Sequence, residues 1–161
     1  KINKRGVFNM TIQRTVAVLI ANGFEEAYLA NVQKMLRGSD LAVKMVSSEN
    51  GVVNGWAGTS WGCFFPVDQA INTALASDYA GLVIMGGDRA IERLQKKAHT
   101  QRFINSFDRV EKPILAINGA SEIVSGLSAS LINAEETSID DALMSFIADL
   151  PALDVEMDLA A

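Results

Sequence analysis

At 161 residues, with 49% hydrophobic and 20% charged side chains, the chain has the length and composition of one globular domain. Its net charge of −5 argues against a nucleic-acid partner, whose phosphates need clustered Lys and Arg. No apolar run approaches the roughly 18 residues of a membrane helix, and the single cysteine excludes an intramolecular disulfide.

These totals favour a cytoplasmic protein without a membrane partner. The first apolar run, residues 16–21, is too short for a signal peptide. A lone cysteine suits a reducing compartment. Residues 1–9 precede the first strand pattern and are interpreted as an N-terminal extension, flexible or foreign to the natural chain. Residues 10–161 are expected to form a single domain.

The first part of the chain has buried strands on either side of a helix. Residues 15–21 and 41–46 are continuous aliphatic and β-branched runs, which is typical of parallel strands covered by helices on both faces. Between them, residues 25–37 are predicted to form a helix with acidic residues in its first turn and Gly38 as its stop.

The middle of the chain is irregular and contains two Asn-Gly pairs, which are strong hairpin-turn signals. Within residues 47–66, short strands around 52–53 and 64–65 are predicted to pair antiparallel. Residues 68–75 are predicted to be helical. This segment is expected to be a small excursion from the main sheet.

The second part returns to alternating strands and helices. Residues 80–85 form a buried strand pattern closed by Gly86-Gly87. Residues 89–110 are predicted to be helical with a break near Lys97, and residues 139–150 are predicted to form a final amphipathic helix. The alternation predicts an α/β fold with three layers and a doubly wound, flavodoxin-like, mostly parallel sheet.

Residues 114–117 form a further strand that runs into a sharp turn at Asn118-Gly119, with a helix expected near Ser121. A strand, an abrupt turn and a helix place one side chain at the tip of a sheet, as in a nucleophile elbow. Here that side chain is Asn118, which tolerates a left-handed backbone but is not a nucleophile. Ligands of doubly wound sheets bind outside the carboxyl ends of the strands. Three loops are therefore expected to meet there: residues 22–28, 85–89 and 118–121.

Seven residues of these loops are candidates for binding a small carbonyl-containing ligand: Asn118, Gly119, Gly86, Gly87, Tyr28, Glu25 and Asp88. The Asn118 amide, the Tyr28 hydroxyl and nearby backbone amides are expected to supply hydrogen bonds, as an oxyanion hole does. Glu25 has an alternative role as a helix-start acid. Asp88 has one as an N-cap, or as a specificity residue with Arg89 at the pocket mouth.

No cofactor or metal is expected. The sequence contains neither the phosphate-binding GxxxxGK[ST] motif nor the dinucleotide-binding GxGxxG motif. It has no His, Cys and carboxylate cluster with metal-ligand spacing.

Four ordered segments between residues 15 and 127 carry a family likeness: VAVLIANGFEEAYL, GVVNGWAGTSWGCFFPVDQAI, GLVIMGGDRAIERL and KPILAINGASEIV. Together they resemble the ThiJ/PfpI superfamily, which includes the Parkinsonism-associated protein deglycase and has a class I glutamine amidotransferase-like fold. The Gly-Trp and Trp-Gly pairs of the second segment, followed by Val-Asp, are similar to the bacterial stress-protein and intracellular-protease branch.

The resemblance implies that the usual catalytic pair is replaced. Family members carry a cysteine at the elbow, and aligning AINGAS with their A-I-C-x-G-P places it at Asn118. They carry a glutamate on the first helix, and aligning GFEEAY with G-F-E-D-x-E places it at Tyr28. Family chemistry needs a thiolate, so no residue is assigned as catalytic. Cys63 is interpreted as an incidental thiol, and His99 is far from the elbow in sequence.

The resulting hypothesis is a pseudoenzyme: a stress-related, non-catalytic protein that binds a small molecule or acts through protein contacts. Relatives are often homodimers or larger homo-oligomers, so Trp56 and Trp61 are either interface anchors or hydrophobic fillers. The alternative is a re-purposed small-carbonyl hydrolase or lyase, intracellular protease-, deglycase- or glyoxalase-like, that uses the same pocket.

Overall fold

The computed structural model describes residues 13–124, 131–134 and 139–151, so the expected extension at residues 1–9 lies outside the described residues. The strands within these ranges are β1 (Thr15–Leu19), β2 (Ala42–Ser47), β3 (Val52–Trp56), β4 (Trp61–Pro66), β5 (Gln69–Ala70), β6 (Gly81–Met85), β7 (Ile114–Ile117) and β8 (Leu131–Ala134). Six of them form one sheet in the order β5-β2-β1-β6-β7-β8, and every neighbouring pair is parallel. Strands β3 and β4 form a separate antiparallel hairpin, as predicted.

The described α-helices are α1 (Leu29–Gly38), α2 (Asp88–Gln95), α3 (Ala98–Arg109) and α4 (Ile139–Asp149). Helices α1 and α4 contact each other and pack on β2, β7 and β8, whereas α2 and α3 contact each other and α3 packs on β6. The predicted three-layer α/β architecture is confirmed. None of the helices in the described ranges is long and apolar enough to cross a bilayer.

The centre of the sheet is fully apolar, as the continuous aliphatic runs predicted. All five residues of β6 and all four of β7 are buried. The largest fully buried side chains include four phenylalanines: Phe24, Phe103, Phe107 and Phe146. Burial of one such side chain stabilises the fold by about 1.5–3 kcal/mol. The core therefore stabilises the central strands β1, β6 and β7, whose carboxyl ends carry the candidate site loops.

The helix predicted over residues 68–75 is wrong. The segment contains β5, which pairs with the end of β2, and the 3-10 turn Ile71–Thr73. The carboxylate of Asp68 accepts the N–H of Met45 at 2.7 Å, which holds the segment against the sheet edge. These pairings with residues more than twenty positions away override the local helical pattern.

Other helix boundaries differ less from the prediction. The first helix begins as a 3-10 turn, Glu26–Tyr28, and the left-handed residue that follows α1 is Asp40, with a φ of 60°, rather than Gly38. The break near Lys97 and the final helix are confirmed. After the elbow the structure describes one 3-10 turn, Ala120–Ile123, and residues 125–130 lie outside the described part of the chain.

Candidate functional site

Asn118 occupies the turn at the end of β7 with a left-handed backbone. Its φ is 52°, and that of Gly119 is 84°. The Asn118 N–H donates to the carbonyl of Ala134 at 3.0 Å, and the Asn118 carbonyl accepts the N–H of Gly87 at 3.2 Å. A left-handed conformation costs an L-residue about 1–2 kcal/mol, and Asn is among the residues that adopt it most readily. The predicted left-handed turn is confirmed.

The two glycines after β6 are required by how closely the backbones approach. A Cβ on Gly86 would lie 2.1 Å from the carbonyl oxygen of Asn118 and 2.2 Å from that of Ile117. The φ of Gly87 is 118°, which side chains disfavour. The N–H of Glu25 donates to the Gly86 carbonyl at 3.0 Å. Backbone hydrogen bonds therefore tie together the loops that follow β1, β6 and β7.

These loops surround a cavity of about 220 Å³ lined by Glu25, Tyr28, Gly87, Asp88 and Asn118, called here the Asn118 pocket. The structure thus brings five of the seven candidate residues together. The other two, Gly86 and Gly119, do not line the pocket. Gly86 is buried against the backbone of β7, and Gly119 faces the side chain of Ile91. The pocket is smaller than the roughly 300–1,000 Å³ of sites for drug-sized ligands, so it suits a small molecule.

Glu25 is the N-cap residue of the 3-10 turn Glu26–Tyr28 without a side-chain capping bond, and Asp88 is not the N-cap of α2. Gly87, not Asp88, is the N-cap of α2, so the capping role expected for Asp88 is wrong; Asp88 is the first helical residue. Glu25 precedes the 3-10 turn and makes no side-chain capping bond. Both side chains therefore remain at the pocket. The Gly87 N–H already donates to the carbonyl of Asn118, so it is not available to a ligand. Gly87 contributes to the pocket only as part of its wall.

The guanidinium of Arg89, the residue after Asp88, is turned towards an aromatic cluster. The guanidinium carbon of Arg89 lies 3.8 Å from the centre of the Trp56 ring and 6.0 Å from that of Trp61. The two indoles meet edge to face at 5.4 Å. A cation over an aromatic face is held by the ring quadrupole. The charged side chains that line the described part of the pocket are therefore both acidic, and the pocket favours hydrogen-bond donors.

Sequence reasoning placed Arg89 at the pocket mouth but missed its contact with the tryptophans. The contact joins the start of α2 to the hairpin. The backbone of Trp56 also forms an isolated parallel β-bridge with that of Glu25. The sequence feature connected with this contact is Gly23, because a side chain at this position would collide with Arg89. A Cβ there would lie 2.4 Å from the Arg89 Cβ.

Cys63 lies outside the pocket and contacts Glu26. The Cys63 N–H donates to Glu26 Oε1 at 2.9 Å, and the thiol is exposed. The negative charge of Glu26, followed by their side-chain hydrogen bond, raises the pKa of Cys63 above its ordinary value. Because only the thiolate is a good nucleophile, this contact makes the thiol less reactive, in agreement with an incidental thiol.

His99 is not part of the Asn118 pocket. It lines a different cavity, at the carboxyl ends of β2 and β5. Among the residues that the structure describes, no three His, Cys, Asp or Glu side chains are grouped as metal ligands.

Comparisons with known proteins agree with this architecture. A sequence model of the DJ-1/PfpI family matches residues 14–139. DJ-1beta from Drosophila melanogaster superposes with a TM-score of 0.75 at 13% identity, over 86% of this chain and 91% of that one. A mutant DJ-1 superfamily protein from Salmonella typhimurium gives 0.71 at 19% identity, over 84% and 89%. The structure of a protein described as the putative protease I from Bacteroides thetaiotaomicron gives 0.71 at 13% identity, over 86% and 99%. Curated protein sequences gave no significant match.

Proposed function

Because this chain belongs to the DJ-1/PfpI family, we propose that it is a member that binds a small carbonyl-containing molecule without covalent catalysis. The observation that carries the proposal is the position of Asn118, at the tip of β7 and on the wall of the pocket. The sequence resemblance places the family's cysteine at this residue. A carboxamide has no ionisable group with which to attack a carbonyl, but it both donates and accepts hydrogen bonds.

The composition of the pocket indicates the ligand's polar groups. The Asn118 amide can donate to a ligand carbonyl, whereas the carboxylates of Glu25 and Asp88 are acceptors. A ligand that combines a carbonyl with an ammonium or hydroxyl group would satisfy both kinds of partner. An anionic ligand would face two like charges at short range.

Three small ketones of similar size and different charge test this proposal: aminoacetone, hydroxyacetone and pyruvate. The backbone amide resonance of Gly87, which lines the pocket and is kept in every variant, reports binding by NMR. We expect aminoacetone to bind most tightly and pyruvate least. Asp88→Asn should weaken aminoacetone about fivefold, since a partly exposed ion pair is worth about 1 kcal/mol.

Asn118→Leu, which replaces the hydrogen-bonding amide with an apolar group, should abolish binding of all three compounds. Met144→Leu, on the exposed face of α4, is the control and should change nothing. Equal affinities for pyruvate and aminoacetone, or binding that survives Asn118→Leu, would contradict the proposal.

We also infer that the protein forms a homo-oligomer through the exposed apolar residues of the β3–β4 hairpin. Val52, Trp61 and Phe64 are 50%, 51% and 67% exposed, whereas Val53, between Val52 and the rest of β3, is buried. Exposed apolar patches of this kind mark interaction surfaces. Light scattering after size-exclusion chromatography should give a multimer for the native chain and a monomer for Phe64→Glu. Met144→Glu, at a side chain 63% exposed, should leave the multimer intact.

The second candidate is a re-purposed enzyme acting on a small carbonyl compound. The observation that favours it is that Glu25 and Asp88 place carboxylates beside Asn118, where one of them can act as a general base. This candidate requires Tyr28→Phe and Asn118→Ala each to change a measured turnover while the fold stays intact. A broad screen of small carbonyl compounds without turnover excludes it.

A further inference from the structure

A second cavity of about 220 Å³ lies at the carboxyl ends of β2 and β5. Its polar lining consists of Ser47, Ser48, Asn50, Asn72, Lys97 and His99. None of the described residues that line it is a carboxylate, whereas the Asn118 pocket has two. In a chain of net charge −5, this cavity combines a lysine, the only histidine, hydroxyls and amides.

The charges around the cavity are arranged in favour of an anion. Glu49 lies between two lining residues in sequence. Its charge is paired, because Glu49 Oε1 accepts the Nε–H of Arg93 at 2.7 Å. Arg102 donates from Nη2 to the carbonyl of Ile71, a lining residue, at 2.9 Å. The carboxylate beside the cavity is therefore paired with a guanidinium, and a second guanidinium stands next to the lining.

The N-terminus of α3 adds to this positive potential. The helix has twelve residues, and its N-cap, Lys97, is extended with φ −106° and ψ 121° and makes no side-chain capping bond. The first N–H groups of a helix have no acceptor within it and carry partial positive charge. Lys97 and His99, on either side of the first helical residue, both line the cavity.

Ser47 adds a hydroxyl group to the wall of the cavity. It is fully buried and lines the cavity. Its Oγ accepts the N–H of Glu49 at 3.1 Å. Because a hydroxyl group can donate as well as accept, Ser47 can also donate a hydrogen bond to an oxygen atom of a ligand in the cavity.

We propose that this cavity binds the phosphoryl group of a small phosphate ester. Phosphoryl oxygens accept charge-assisted hydrogen bonds from Lys and further hydrogen bonds from imidazole, hydroxyl and amide donors. The cavity volume of about 220 Å³ is several times the roughly 30 Å³ that one water molecule takes in the liquid. The cavity therefore has room for a phosphoryl group and a small organic portion. The site is separate from the Asn118 pocket and does not depend on the function proposed for it.

The imidazole resonances of His99 report occupancy directly, because it is the only histidine. Inorganic phosphate and glycerol 3-phosphate are titrated at fixed pH, with sodium chloride holding the ionic strength constant. Both should shift these resonances to saturation. Tighter binding of glycerol 3-phosphate than of inorganic phosphate supports the proposed ester. Equal or weaker binding of glycerol 3-phosphate would overturn the ester and leave a site for the free anion.

Lys97→Gln and Lys96→Gln form a matched pair that removes the same charge from neighbouring exposed positions. Lys96 pairs with Glu92 at 3.1 Å. Lys97→Gln should weaken phosphate binding about tenfold or more, and Lys96→Gln less than about twofold. Ser47→Ala should also weaken binding. Shifts that do not saturate, or equal weakening by the two lysine variants, would overturn the proposal.

Discussion

The carbonyl oxygen of Asn118 accepts the N–H of Gly87 at 3.2 Å, which fixes the turn after β7 to the turn after β6. This bond uses the backbone of both residues. The side chain of Asn118 is therefore available to the pocket, and substitutions that keep its backbone conformation should leave the pocket walls in place. The shape of the site therefore depends on backbone bonds rather than on the Asn118 side chain.

Asn118→Cys tests whether the elbow still presents its side chain to solvent. In a Cys63→Ser background the new thiol is the only one, since the chain has a single cysteine. We expect alkylation by iodoacetamide at residue 118 and a stability loss of about 1 kcal/mol, because Cys tolerates a left-handed backbone less well than Asn. The Cys63→Ser parent is the control. A thiol at 118 that reacts only after denaturation would contradict an open pocket.

Gly86→Ala should destabilise the protein severely. The new Cβ would lie 2.1 Å from the carbonyl oxygen of Asn118, which accepts the N–H of Gly87, and 2.2 Å from that of Ile117, at the end of the β6–β7 pairing. We expect a loss of about 3 kcal/mol or more, measured by urea denaturation. Gly38→Ala is the matched control. Nothing lies within 4 Å of its added Cβ, so it should be neutral or stabilising by up to about 1 kcal/mol. Similar stabilities for the two variants would contradict the close approach.

Glu26→Gln should make Cys63 more reactive. The Glu26 charge is the largest cause that raises the pKa of Cys63, so its removal lowers that pKa and increases the thiolate fraction at a given pH. The rate of alkylation as a function of pH should shift to lower pH. Glu25→Gln removes the neighbouring charge, which faces the Asn118 pocket, and should shift the profile less. Equal shifts would show that the Glu26 contact has no specific effect.

Tyr79 should make the fold sensitive to alkali. Burial, helped by the charges of Asp78 and Asp68, raises the pKa of Tyr79 to about 12. The unfolded phenol ionises near pH 10, so the folded state holds the proton more strongly. The resulting stability is present below about pH 10 and is lost as the pH rises from about 10 to 12.

Urea denaturation at a series of alkaline pH values checks this dependence. Tyr79→Phe should flatten the loss of stability above pH 10, whereas Tyr28→Phe, which removes the only other tyrosine, should not. The opposite pattern would contradict the assignment to Tyr79.

Local patterns were sufficient to predict the core and the elbow. The continuous aliphatic runs of β6 and β7 predicted buried parallel strands, and Asn118-Gly119 predicted the left-handed turn. Since parallel strands have their carboxyl ends at one edge, the same pattern predicted which loops meet.

Contacts between distant segments could not be predicted in this way. Residues 68–75 have a helical pattern, but Asp68 is held by the N–H of Met45 in β2. The stacking of Arg89 on Trp56 depends on where the hairpin folds back over α2, which neither segment determines alone. The cavity that contains His99 joins residues from three separate parts of the chain.

Consumption of methylglyoxal by the purified protein tests most directly whether the protein functions without covalent catalysis. With Asn118 at the elbow, the chain should consume it no faster than buffer does, and Cys63→Ser should behave identically. Turnover above buffer that persists in Cys63→Ser and disappears in Asn118→Ala would show that the pocket catalyses a reaction and would contradict the proposed function.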